Sequence, residues 1–230
     1  MKEEVLRILR MVEEGKITAD EAERLLSALE SLKAPEHRVG IFVGRKAEAG
    51  FVERELPGRD GFALAISASK AELSLWEEDR VKVEAWLDEL GSVEETSDGL
   101  RLNMARAKIR IPAERSLRLE LSAGKAEGEV PPITDITCSA GKAELRGLRE
   151  GTVSCSAGKV EVALSAEPGV LSLDVSAGKI ELLVPKERKM HIIKEEVSAC
   201  GVFVDEGIED PSAPQATVRG RAGKVSLRKA

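Results

Sequence analysis

A four-residue corner, Ser-Ala-Gly-Lys, returns along this chain and restricts its fold more than any other feature. It stands as SASK at Ser67, as SAGK at Ser122, Ser139, Ser156 and Ser176, as a degraded SACG at Ser198 and as RAGK at Arg221. From Ser122 onward, successive starts differ by 17, 17, 20, 22 and 23 residues. A constant corner with a drifting period is the pattern of a solenoid whose other loops vary in length.

Side-chain alternation points the same way. Before the corner, Leu119 and Leu121, Ile136 and Cys138, Val153 and Cys155, and Leu173 and Val175 hold matching alternate positions. After it, Ala143 and Leu145, Val160 and Val162, and Ile180 and Leu182 do the same. The step from Cys138 to Ala143 is odd, so an unbroken strand would turn one of the two sets outward. A bend at the corner returns both to the interior, and Gly124, Gly141, Gly158, Gly178 and Gly223 are the residues that tolerate it. An antiparallel meander with the same period would put a strand between like corners. Parallel stacking sets them directly above one another, about 4.8 Å apart, and makes Cys138 and Cys155 vertical neighbours in the core. A disulfide between those two is geometrically conceivable, although a reducing compartment disfavours it.

The segment 39–112 is less periodic. "AELSLWEEDRVKVEAWL" reads as two strands joined by a charged turn, which would bring Trp76 and Trp86 near one another, and "LRLNMARAKIRIP" adds two more strands. Together these start the solenoid and cover its first edge. At the far end, Arg228 and Lys229 place charge on what reads as the last coil, discouraging further edge pairing.

Residues 1–33 have a different period. Val5, Ile8, Leu9 and Val12 recur at helical spacing and Gly15 supplies a C-terminal cap. Thr18 and Glu21 form a capping box ahead of a second helix with Leu25, Leu26 and Leu29 as its apolar stripe. Two short helices alone are marginal in water, so the stripes must meet the rest of the chain, another copy or a partner. The expected organisation is a helical hairpin over 1–33, a linker over 34–38 and a β-solenoid over 39–230.

Composition narrows the function classes. The net charge of -6 argues against a general nucleic-acid binder. Met1 is followed by Lys2, Glu3 and Glu4, and no apolar run is long enough to span a bilayer, so the expected location is cytoplasmic, with recruitment to the inner membrane face through a partner. Three cysteines without a CxxC pair read as reduced core residues. Asn103 and Gln215 are the only side-chain amides in a chain that is 33% charged, a balance that leans towards heat adaptation.

The repeated corners followed by Lys, an apolar residue and Glu, entered through "IRIPAERSLRLELSAG", resemble the bacterial toast-rack β-solenoid family, whose members are commonly described as candidate adhesins. "ILRMVEEGKITADEAERLLSAL" resembles the SHOCT-like helical module at the N-terminus of many of them, YvlB-like proteins included. The resemblance implies a regulator or adaptor in cell-envelope stress responses and brings no catalytic residues. Many members carry Asp or a small polar residue after the corner Gly, where this chain has Lys.

That substitution creates the main candidate site. Lys70, Lys125, Lys142, Lys159, Lys179 and Lys224 follow equivalent corners, and two residues on stand Glu72, Glu127, Glu144, Glu161 and Glu181. Stacked ammonium groups repel unless offset. The pattern fits a solvated ion-pair ladder that fixes register, or a strip that binds a linear anion such as lipid headgroups, an acidic wall polymer or an acidic protein tail. His37 and His191 have no metal-site spacing, no GxSxG or SxxK motif occurs, and SAGK lacks the complete phosphate-binding loop. The repeated Glu each follow a Lys at fixed spacing, unlike the clustered carboxylates of a glycosidase. The expectation is a non-enzymatic scaffold without a cofactor, whose helices mediate self-association or bind a protein partner such as a membrane-bound regulator. An adhesin-like or anionic-polymer-binding module and a self-polymerising solenoid are the alternatives.

Overall fold

Apolar residues at every second position, broken by small-residue corners, leave this chain one economical way to bury its strands: coil upon coil. The computed structural model describes residues 50–230. The hairpin expected over 1–33, the linker over 34–38 and the onset of the solenoid at Val39 lie outside the described residues.

The repeating coil consists of two strands joined by the corner. One wall carries β2 (Phe62–Ser67), β6 (Leu117–Leu121), β8 (Thr134–Cys138), β10 (Gly151–Cys155) and β12 (Leu171–Val175). The other carries β3 (Ser69–Trp76), β7 (Gly124–Glu129), β9 (Lys142–Leu148), β11 (Lys159–Leu164) and β13 (Lys179–Val184). Every pairing among these strands is parallel, Val153 beside Ile136, Val160 beside Ala143, with one register shift where Leu164 meets Leu148 at the end of the β9–β11 pair. Three longer strands run along both walls: β5 (Gly99–Pro112), β14 (His191–Val204) and β15 (Gln215–Lys229). β1 (Phe51–Pro57) and β4 (Arg80–Glu95) pair with each other, and β4 pairs with β5; these are the antiparallel contacts among the described strands.

The core lies between the walls. Leu64, Ile66, Leu119, Leu121, Ile136, Val153 and Leu173 from one wall and Ala71, Ala143, Val160, Val162, Ile180 and Leu182 from the other are all buried. Burying each large aliphatic side chain stabilises the fold by roughly 1.5–3 kcal/mol. Cys138 and Ala143 are both inside, so the corner reverses the alternation as the odd step requires. Period drift falls on the return side, which is short at 149–150 and long at 205–214.

The corner glycines are needed for two different reasons. Gly124 and Gly223 have φ of 101° and 96°, where a side chain is strained. Gly141, Gly158 and Gly178 do not; there a Cβ would run into the coil beneath, meeting the Gly141 carbonyl from Gly158 and the Cys155 sulfur from Gly178. The SASK corner has Ser69 in place of Gly and moves the left-handed conformation to Ala68, at φ 49°.

Stack order departs from chain order at both ends. β2 and β3 sit between β5 on one side and β6 and β7 on the other. "AELSLWEEDRVKVEAWL" does form two strands, β3 and β4, but β5 lies between them. Trp76 is therefore opposite Pro112 and Trp86 opposite Arg106, six positions along β5 and so roughly 20 Å apart, not neighbours as the sequence suggested. Trp86 instead packs on Phe51 with ring centroids 5.3 Å apart. "LRLNMARAKIRIP" is one strand bent at Met104, not two. At the other end β15 is seated between β12 and β13 on one side and β14 on the other. Arg228 and Lys229 thus do not belong to the edge coil. The edge is β14, broken by a bulge between Lys194 and Val197 and carrying Glu195 and Glu196 there, which blunts it by a different route.

Candidate functional site

The outward positions just past the corners form two rows. In stack order, the first is Arg106, Lys70, Lys125, Lys142, Lys159, Lys179, Lys224 and Gly201, each beside the next. The second is Lys108, Glu72, Glu127, Glu144, Glu161, Glu181, Ser226 and Phe203. All six lysines singled out from the sequence share one row, and all five glutamates share the next.

The rows interlock diagonally. Lys70 Nζ lies 2.8 Å from Glu127 and 3.5 Å from Glu72. Lys125 bonds Glu127 on its own strand and reaches Glu144 on the next coil at 2.6 Å, while Lys142 pairs with Glu144. Lys159 lies 2.7 Å from Glu161 and 3.8 Å from Glu181; Lys179 lies 2.6 Å from Glu181. Glu181 is the most enclosed carboxylate of the row, with Arg228 Nε also 3.2 Å away.

From Lys70 to Lys179 each lysine is offset by a neighbouring carboxylate, and the proton affinities follow. Hydrogen bonds from Lys125 and then Lys142 hold the Glu144 carboxyl down at about 2. Lys125 and Lys70 lower Glu127, and Lys179 lowers Glu181. In return Glu127 and Glu144 push the Lys125 ammonium up, Glu127 raises Lys70 and Glu161 raises Lys159. Each of these shifts favours the charged form, the carboxylate on one side and the ammonium on the other.

Below the lysine row, Gly124, Gly141, Gly158, Gly178 and Gly223 form the close-packed spine that lets the strands stack at this spacing. Cys138 and Cys155 are direct neighbours across β8 and β10, both buried and both free thiols. The hydrogen bond to Cys155, and then burial, hold the Cys138 thiol protonated.

Arg106, Lys108, Ser226 and Phe203 also belong to the rows and were not picked out from the sequence, and Arg228, read from the sequence only as an edge charge, lies two positions beyond Ser226 on β15. The alternating Arg106, Lys108 and Arg110 were a visible signal in β5, but their place depends on β5 lying outside β3. Val5, Ile8, Leu9, Val12, Leu25, Leu26 and Leu29 fall outside the described residues. His191 begins β14, and among the described residues no group of three His, Cys, Asp or Glu side chains is arranged to hold a metal ion. No helix among the described residues is long and apolar enough to cross a membrane.

Comparison with known proteins bears on the N-terminal residues. Residues 3–34 match the SHOCT-like domain family. The SHOCT-like segment covers the stretch read as two helices, and it precedes a strand-rich solenoid, the combination that the two sequence motifs suggested. Among solved structures, this chain is similar to a candidate cell adhesion protein from Clostridium sporogenes, at 11% identity and a TM-score of 0.41 over 79% of this chain and 100% of that one. It is also similar to a candidate adhesin from Bacteroides fragilis, at 8% identity and a TM-score of 0.32 over 80% of this chain and 100% of that one. No curated protein matches the chain.

Proposed function

We propose that this protein is a non-enzymatic scaffold or adaptor in which the SHOCT-like segment mediates self-association or docking and the solenoid presents a rigid surface. The observation that carries the reading is the solenoid's charged wall. Its exposed side chains are committed to one another in a repeating ladder, as suits a structural surface rather than a reaction centre. By resemblance to toast-rack proteins, the setting is a bacterial envelope-stress response, on the cytoplasmic side and brought to the membrane by a membrane-bound regulator.

Removing residues 1–33 tests the division of labour. The truncated chain should remain a folded β-protein by circular dichroism, yet show a smaller mass in light scattering or lose capture of a membrane-derived partner. Unchanged mass and unchanged capture would reduce the SHOCT-like segment to decoration. The competing adhesin-like reading, in which the lysine row binds a linear anion, is weakened because most of its lysines are already held by carboxylates at bonding distance.

A further inference from the structure

The ladder holds six lysines but five glutamates, and the imbalance falls at one place. Lys224 follows the last regular corner, yet two residues on stands Ser226 where the other coils carry Glu. In the next coil the same row holds Phe203, and the lysine row ends in Gly201. Lys224 is therefore the one ladder lysine without a carboxylate within bonding distance among the described residues. The missing side chain at Gly201 leaves room for the Phe203 ring to fold back, and the Lys224 ammonium lies 4.3 Å from the ring centroid.

A cleft of about 270 Å³ opens here, lined by Phe203, Asp205, Lys224, Ser226 and Arg228. Ser226 is only 1% exposed, and its hydroxyl has no hydrogen-bond partner among the described residues. A buried hydroxyl left unpaired is costly. Lys224 and Arg228 flank it along β15, two residues to either side. Arg228 gives Nε to Glu181, which leaves the far side of its guanidinium for another acceptor. Asp205 accepts the Lys229 N–H at 3.2 Å on the same cleft, so the site tolerates a small anion better than a highly charged one.

We infer that this cleft binds one oxyanion group, a phosphate or a carboxylate, seated over Ser226 where the next glutamate of the row would have been. The Ser226 hydroxyl and the Lys224 ammonium donate to it, the Arg228 guanidinium closes the other side, and the Phe203 ring walls it from solvent. The site goes beyond the scaffold reading and does not depend on it. It also differs from a strip along the whole lysine row, because the other lysines are already engaged.

The test is a titration of the full-length, isotope-labelled protein with inorganic phosphate and, in a second arm, acetate, at constant ionic strength set with sodium chloride. Saturable amide shifts should centre on residues 203–205 and 224–228, and the tighter arm identifies the preferred group. Ser226→Glu supplies the missing carboxylate from the chain itself and should abolish the saturable response. Lys224→Gln should weaken it about tenfold or more, as expected for losing a charge-assisted hydrogen bond, without altering the rest of the spectrum. Lys142→Gln should leave it unchanged. No saturable response in either arm, undiminished binding in Ser226→Glu or Lys224→Gln, or equal loss in Lys142→Gln would overturn the inference.

Discussion

Lys125, held between Glu127 and Glu144, shows how the charged wall specifies register: a one-residue slip would set Lys142 beside the inward-facing Ala126 and turn one strand's charged row towards the core. Replacing Lys125, Lys142 and Lys159 together by Gln should keep the fold but lower Tm by a few degrees, because the glutamate row would then be left to repel itself. If the ladder is only structural, wild type and triple variant will bind anionic vesicles equally weakly in co-sedimentation; salt-sensitive binding lost in the variant would favour the anion strip. Acid should act through the same pairs. Glu127, Glu144 and Glu181 have carboxyls lowered in the fold, so their contribution is present above the ordinary glutamate value of about 4.3 and fades as pH falls towards the folded value, about 2 for Glu144. Thermal melts should therefore show stability declining from about pH 5 towards pH 2, and the triple variant should show a shallower decline. Crowding sets a different limit at the corners. Gly158→Ala would push a methyl group into the Gly141 carbonyl and to 2.7 Å from Cys138 Sγ. A loss of roughly 1–3 kcal/mol is expected in denaturant unfolding, as for other overpacked sites.

At the scale of the strand, what could be read in advance was whatever repeats. The spacing of the corners, the alternation of Leu, Val and Cys around them and the phase of Lys and Glu sufficed for parallel coils in the observed register, Lys159 beside Lys142 and Glu161 beside Glu144. Neighbours in space were not legible where they were not neighbours in sequence. Consecutive elements usually lie side by side, and that expectation placed β4 against β3 and β15 at the rim. One clue was available: the SACG corner, with Gly201 and Phe203 in the Lys and Glu rows, is what an edge coil looks like, because a column of paired charges has nothing to continue into. β14 pairs with β15 and with no other described strand. Ending the chain after Pro214 should consequently cost two coils rather than one. Amide exchange should report loss of protection in β14 together with fraying of β12 and β13, and continued protection of β14 would show that it has support from elsewhere.

For the molecule as a whole, the interleaved ends bear on how the solenoid is made and undone. A stack laid down in chain order could grow one coil at a time behind the ribosome and peel back the same way. Here β14 is synthesised with an empty slot between itself and β12 and β13, and closure waits until β15 emerges and fills it; at the opposite end β2 and β3 wait for β5. Such non-local closures slow folding, and the same arrangement acts as a latch once complete. Force applied to the β15 end must shear fifteen residues out from between parallel neighbours on both sides instead of unzipping an outer strand. In an optical trap this domain should resist to a single high force and then fail in one step, without the staircase of small rips that a coil-by-coil repeat produces.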